Sequence, residues 1–248
     1  MIDDGSLERV SYHRLVEHID FLVHRVRRIL DLALLCRVLS RNTAIFIYND
    51  FEGICLNYRN DDELYELVLK YAARLRFLVK FHKQPVAYRQ IENDSRSVVT
   101  GLAKVCGRFL NTVQIKIKTC IRDSRAVLCA YDKTNIQIPS FKFRYKPLLF
   151  SADVRDFFNQ IDLVDLIVAL DAAIDAFVDS INVAKFIRDS VAILLKSKFI
   201  MIKKQLFRKR RSLSIGEYIA TACASICTWH WFDKPLLKFL ENREIHVF

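Results

Sequence analysis

Only five glycines and four prolines punctuate the 248 residues, and more than half of the chain is hydrophobic. So few breakers exclude a loop-rich β-protein and a disordered chain, and they leave long uninterrupted elements, mostly helices. The expected fold class is α+β and predominantly helical. It would have a long N-terminal helix, short antiparallel strands in the middle and a C-terminal helical bundle. A chain of this length buries a substantial core as one domain. No linker or repeat interrupts it, so residues 1–248 read as a single domain, helical over 6–40, mixed over 44–150 and helical over 151–245.

Hydrophobic spacing divides the chain further. Leu15, Ile19, Leu22, Val26, Ile29, Ala33 and Cys36 alternate steps of four and three, which predicts one helix from Ser6 to about Ser40. That seam also offers a surface for homodimerisation. His24, Arg25, Arg27 and Arg28 form a small basic cluster beside it. Residues 44–58 read as a hairpin turning at Asn49–Gly53, and 61–82 as a helix that Pro85 ends. A helix over 96–111 is weakened by Gly101 and Gly107.

From Thr112 to Phe150 the sequence reads as β. Val113, Ile115 and Ile117 alternate with Gln114, Lys116 and Lys118; Ala126–Tyr131 and Ile136–Tyr145 supply two more strands. Residues 151–182 are helical and acidic, and 185–211 continue as a basic helix. Ser214–Glu217 fits a capping box for the next helix, and Asp233-Lys234-Pro235 opens the last.

Charge is concentrated in one place. Residues 185–211 hold ten Lys or Arg against one acid, Asp189, a net +9 of the chain's +11. The stripe of Asp171, Asp175 and Asp179 would reach Lys196 and Lys198 in an antiparallel packing. That leaves Lys203, Lys204, Arg208, Lys209, Arg210 and Arg211 for phosphates. Lys116, Lys118, Lys142 and Arg144 add cationic strand faces, the last two opposite the rings of Phe141, Phe143 and Tyr145, in the alternation that single-stranded nucleic acid binding uses.

The seven cysteines are scattered and odd in number, the N-terminus reads as no signal peptide, and no run of apolar residues is long enough to span a membrane. The expected setting is therefore intracellular, cytoplasmic or nuclear, and Arg208–Arg211 have the composition of a nuclear import signal. Cys223, Cys227 and His230 lie at i, i+4 and i+7 of a helix but lack a second ligand pair, so no metal and no cofactor is assigned. No phosphate-binding loop, nucleophile elbow or metalloprotease motif occurs.

Residues 148–158, LLFSADVRDFF, resemble the first metal-binding motif of reverse transcriptases: an apolar stretch ends in Asp153, with aromatics four and five residues later. The resemblance covers eleven residues and implies a two-metal site completed by a downstream aromatic-x-Asp-Asp turn. After Asp153 no two aspartates are adjacent, so no catalytic residue is named. The functional expectation is a non-enzymatic nucleic-acid-binding protein that contacts phosphates through its basic C-terminal helix, with little sequence specificity. The alternative is a scaffold, oligomeric through the N-terminal helix or resting on an anionic membrane.

Overall fold

The heptad-like stripe of the N-terminal helix is the inner wall of the molecule. In the computed structural model, which describes residues 7–55, 61–81, 85–93, 97–121, 123–137 and 153–242, helix α1 runs over Tyr12–Leu35. Leu15, Ile19, Leu22, Val26, Ile29 and Ala33 are all buried there. They pack on the chain's own helices, so the seam does not serve as a homodimer surface. Only Cys36, just past the helix, is exposed.

Before α1 lies a short strand, β1 (Leu7–Arg9). After it come α2 (Arg41–Cys55), α3 (Asp61–Tyr71), β2 (Ala73–Lys80), β3 (Ala87–Asn93), α4 (Thr100–Lys116) and α5 (Ser124–Gln137). The C-terminal part contains α6 (Phe157–Gln160), α7 (Leu163–Phe177), α8 (Ile181–Lys196), β4 (Phe199–Ile202), β5 (Gln205–Lys209) and α9 (Ala220–Thr228). A π-helical turn, Trp229–Asp233, then leads into α10 (Lys234–Glu241). The fold is α+β and mostly helical.

Several local expectations are corrected. Residues 44–55 are helical, because Ala44, Ile47 and Phe51 bury at steps of three and four beneath a β-rich composition. The helix opening at Asp61 stops at Tyr71, and 73–80 pair as a strand. Lys116 closes α4 and Lys118 follows it in a turn, so neither lies on a strand; Val113 and Ile117 are buried one helical turn apart. Ala126–Tyr131 belong to α5. Lys142, Arg144 and the rings of Phe141, Phe143 and Tyr145 lie outside the described residues.

The basic stretch 185–211 is not one helix. α8 ends at Lys196, the Ser197 hydroxyl donates to the Ile193 carbonyl at 2.6 Å, and the chain then forms the β4–β5 hairpin. Its two-residue turn is Lys203-Lys204, both with positive φ (48° and 62°). A turn of that hand matches the twist of the flanking strands, but it asks two L-residues to adopt left-handed backbone. Ser214 caps no helix, since α9 starts at Ala220.

The five strands form one mixed sheet in the order β1-β5-β4-β2-β3. β4 and β2 are parallel at the centre and the other pairs antiparallel. One buried cluster joins α1, α2, α4, α7, α8 and α9 to the sheet's inner face. Gly107 lies where α4 meets the loop before α9: a Cβ there would stand 3.1 Å from the Tyr218 carbonyl oxygen. The glycine expected to weaken this helix instead lets it approach closely.

Candidate nucleic-acid interface

The cations named from sequence do not make one face. Arg208 and Arg210 turn to Glu8 on β1: Arg208 Nη2 lies 2.8 Å from one carboxylate oxygen, and Arg210 grips both, with Nη2 at 2.7 Å and Nε at 3.0 Å. Arg14 adds a further contact at 2.7 Å. Burial alone would raise Glu8, but the hydrogen bonds and charges of Arg210 and Arg208 outweigh it and hold the carboxyl below its ordinary range.

Lys209 is a clearer correction. Its side chain is 5% exposed, and Nζ donates to Glu92 Oε1 at 2.9 Å, Ser214 Oγ at 3.1 Å and the Leu213 carbonyl at 3.3 Å. A cation so enclosed is held as an internal counter-ion. Of the four basic residues at 208–211, Arg208 and Arg210 are paired with Glu8 and Lys209 is buried. Residues 185–211 form no continuous basic helix.

The acidic stripe meets a different partner from the one expected. Arg188 bridges Asp171 at 2.7 Å and Asp175 at 2.6 Å, whereas Lys198 pairs with Glu217 at 2.9 Å, both nearly buried. Lys116 donates to the Phe177 carbonyl at 2.7 Å and so caps the C-terminus of α7. Lys118, Lys203, Lys204 and Arg211 remain exposed, with no partner among the described residues.

Sequence reasoning missed the element that does present cations together. β2 and β3 form a ribbon in which Leu78 pairs with Arg89 and Val79 with Tyr88. Alternation puts Arg74, Arg76, Lys80 and Arg89 on one face, and Phe77, Val79 and Tyr88 on the other. Phe77 and Tyr88 are more than half exposed, and Phe81 at the tip is 84% exposed. This is the arrangement of cations and rings expected at 141–146. Its signal is the alternation of cation and apolar residue over 74–80, interrupted only at Leu78.

The ribbon forms one wall of a cleft of about 540 Å³. Lys80, Tyr88 and Arg89 line the cleft from the ribbon, and Asp153, Asp156 and Phe157 line it from the start of α6 and the segment before it. Gln90 and Asn159 are shared with an adjoining cavity of about 430 Å³ that reaches Arg211 and Ser212. The two together make a groove with cations at both ends.

The groove's floor is held from inside the protein. Gln90 Nε2 donates to Glu92 Oε1 at 2.8 Å, the same oxygen that takes Lys209. Ser214 Oγ donates to the other Glu92 oxygen, and the Glu92 amide donates to the Ile215 carbonyl at 3.0 Å. β3 is thereby locked to the loop before α9. The groove offers cations that can meet phosphates and rings on which bases can stack, beside the carboxylates of Asp153, Asp156 and Asp162.

Cys223 and Cys227 are buried on α9, and burial pushes both thiols up, that of Cys227 to about 12. Among the described residues no group of three or more His, Cys, Asp or Glu side chains could hold a metal ion. No helix among them is long and apolar enough to cross a membrane. Comparison with protein-family models, with curated proteins and with solved structures gave no match.

Proposed function

We propose that the protein binds nucleic acid, with the strand lying in the groove between the β2–β3 ribbon and residues 153–160. The observation that carries this reading is that the edge strand β3 brings Arg89 from one face and Tyr88 from the other to one cleft, together with Lys80 and Phe157. Phosphates would meet the cations and bases would stack on the rings, a recognition mode tolerant of sequence. Arg211 extends the track at its far end, and Lys203 and Lys204 remain further phosphate contacts at the hairpin turn.

The test is fluorescence anisotropy with a labelled single-stranded oligonucleotide. Lys80→Gln combined with Arg89→Gln should weaken binding about tenfold or more at moderate salt. It should also reduce the log–log salt slope by about 1.4–1.8, the value for two phosphate contacts. Unchanged affinity in a folded double variant would refute the assignment of the groove.

A second reading, nucleotide binding at a polymerase-type site, is favoured by the position of Asp153. This residue, in the stretch that resembles the first metal-binding motif of reverse transcriptases, lines the same cleft as the two ribbon cations. Asp153 and Asp156 do not by themselves make a two-metal site, which needs further carboxylates, so this reading extends to binding and not to a reaction. Binding of a fluorescent nucleoside triphosphate that requires Mg²⁺ and disappears in Asp153→Asn supports it. Binding indifferent to both excludes it.

A further inference from the structure

At the other edge of the sheet lies a second cavity, of about 420 Å³, between β1, the start of α1 and β5. Four arginines line it, Arg9, Arg14, Arg208 and Arg210, against the carboxylates of Glu8 and Glu17. The strand order places β1 and β3 four steps apart, or about 19 Å at the usual strand spacing. This cavity therefore does not belong to the groove along β3.

Its charges do not cancel. Glu8 accepts from three guanidiniums at once, which fills its lone pairs while using few of the roughly five N–H donors that each arginine carries. Arg9 has no partner among the described residues. His18 also lines the cavity, and its Nε2 is buried without a hydrogen-bond partner among the described residues. Surplus guanidinium N–H groups lining an open cavity mark a place for an acceptor-rich ligand.

We propose that this cavity is a second oxyanion site, which takes a phosphate group between Arg9, Arg14 and Arg210, with Glu8 holding the guanidiniums in position. The ligand is either a phosphodiester of a bound strand or a free phosphate; in both, tetrahedral oxygens meet forked N–H donors. Glu8 orders the arginines and also sets a negative charge beside the ligand, so it limits affinity.

The experiment has two arms and three variants. Oligonucleotide affinity is followed by anisotropy, and inorganic phosphate by broadening of its ³¹P resonance. The use of an oligonucleotide rests on the function proposed above; the phosphate arm does not. Glu8→Gln keeps an acceptor oxygen for the arginines but removes the charge. It should tighten binding about threefold to tenfold beyond a control that makes the same charge change elsewhere, Glu66→Gln on the exposed side of α3. Arg9→Gln with Arg14→Gln should loosen it and reduce the salt slope by about 1.4–1.8.

A response in the oligonucleotide arm alone assigns the site to a strand, and a response in both arms assigns it to phosphate in general. If Glu8→Gln unfolds the protein, the Arg9 and Arg14 variant decides alone. No effect of that variant in either arm overturns the proposal. Because Lys80 and Arg89 are untouched, failure here is separable from failure of the groove.

Discussion

Lys209 Nζ lies 2.9 Å from Glu92 Oε1, and the two side chains are 5% and 4% exposed. A residue from the most basic stretch of the chain thus serves as the internal counter-ion of a strand that borders the groove. Removing one partner would leave a buried charge without compensation. Lys209→Met should therefore destabilise the protein by about 3–5 kcal/mol, read as a fall in the urea midpoint. Lys209→Met joined with Glu92→Leu should recover much of that loss. A double variant no more stable than Lys209→Met would show that the pair contributes more than mutual neutralisation.

The hairpin turn carries the opposite balance. Lys203 and Lys204 hold left-handed backbone, which costs an L-residue about 1–2 kcal/mol. Lys203→Asn with Lys204→Gly suits the same turn and should raise stability by about 1–2 kcal/mol. If the lysines contact phosphate, oligonucleotide affinity should fall at the same time, the pattern of a functional residue kept at a structural cost. A rise in stability with affinity unchanged would remove these two lysines from the interface.

Acid should weaken the fold before its carboxylates titrate. Burial, assisted by the charge of Arg208, lowers His18 to about 4, against about 6.5 in an unfolded chain. Between these values the unfolded state binds the proton more readily, so stability falls as pH drops from about 6.5 to about 4, by at most about 3 kcal/mol. Glu8 is depressed as well; its contribution is present above the unfolded carboxylate value and is lost as pH falls through the lower folded one. His18→Gln should flatten the urea midpoint between pH 6.5 and 5. An unaltered pH profile in that variant would place the acid sensitivity elsewhere.

How much of the fold and the groove was legible in the sequence differs from element to element. The stripe from Leu15 to Ala33 was, because a helix buried along one face for its whole length displays its period without interruption. The β4–β5 hairpin was not. Phe199, Ile202 and Leu206 stand at helical steps by coincidence, and Lys203-Lys204 lacks the Asn or Gly that announces such a turn. The ribbon's alternation over 74–80 was present but ran on from an acid-capped helix, with no breaker between Tyr71 and Ala73. Charge counting could not separate the buried Lys209 from the exposed Arg211, because burial depends on which strands pair.

Photo-crosslinking locates a bound strand on the protein without altering any residue. A single-stranded oligonucleotide carrying 5-iodouracil, irradiated on the protein and mapped by mass spectrometry, reports which rings touch bases. Adducts are expected at Tyr88 or Phe77 on the ribbon and at Phe157 across the cleft, diminished by Lys80→Gln with Arg89→Gln. Adducts absent from both 73–93 and 153–160, in a protein that still binds the oligonucleotide, would place the strand elsewhere and refute the groove.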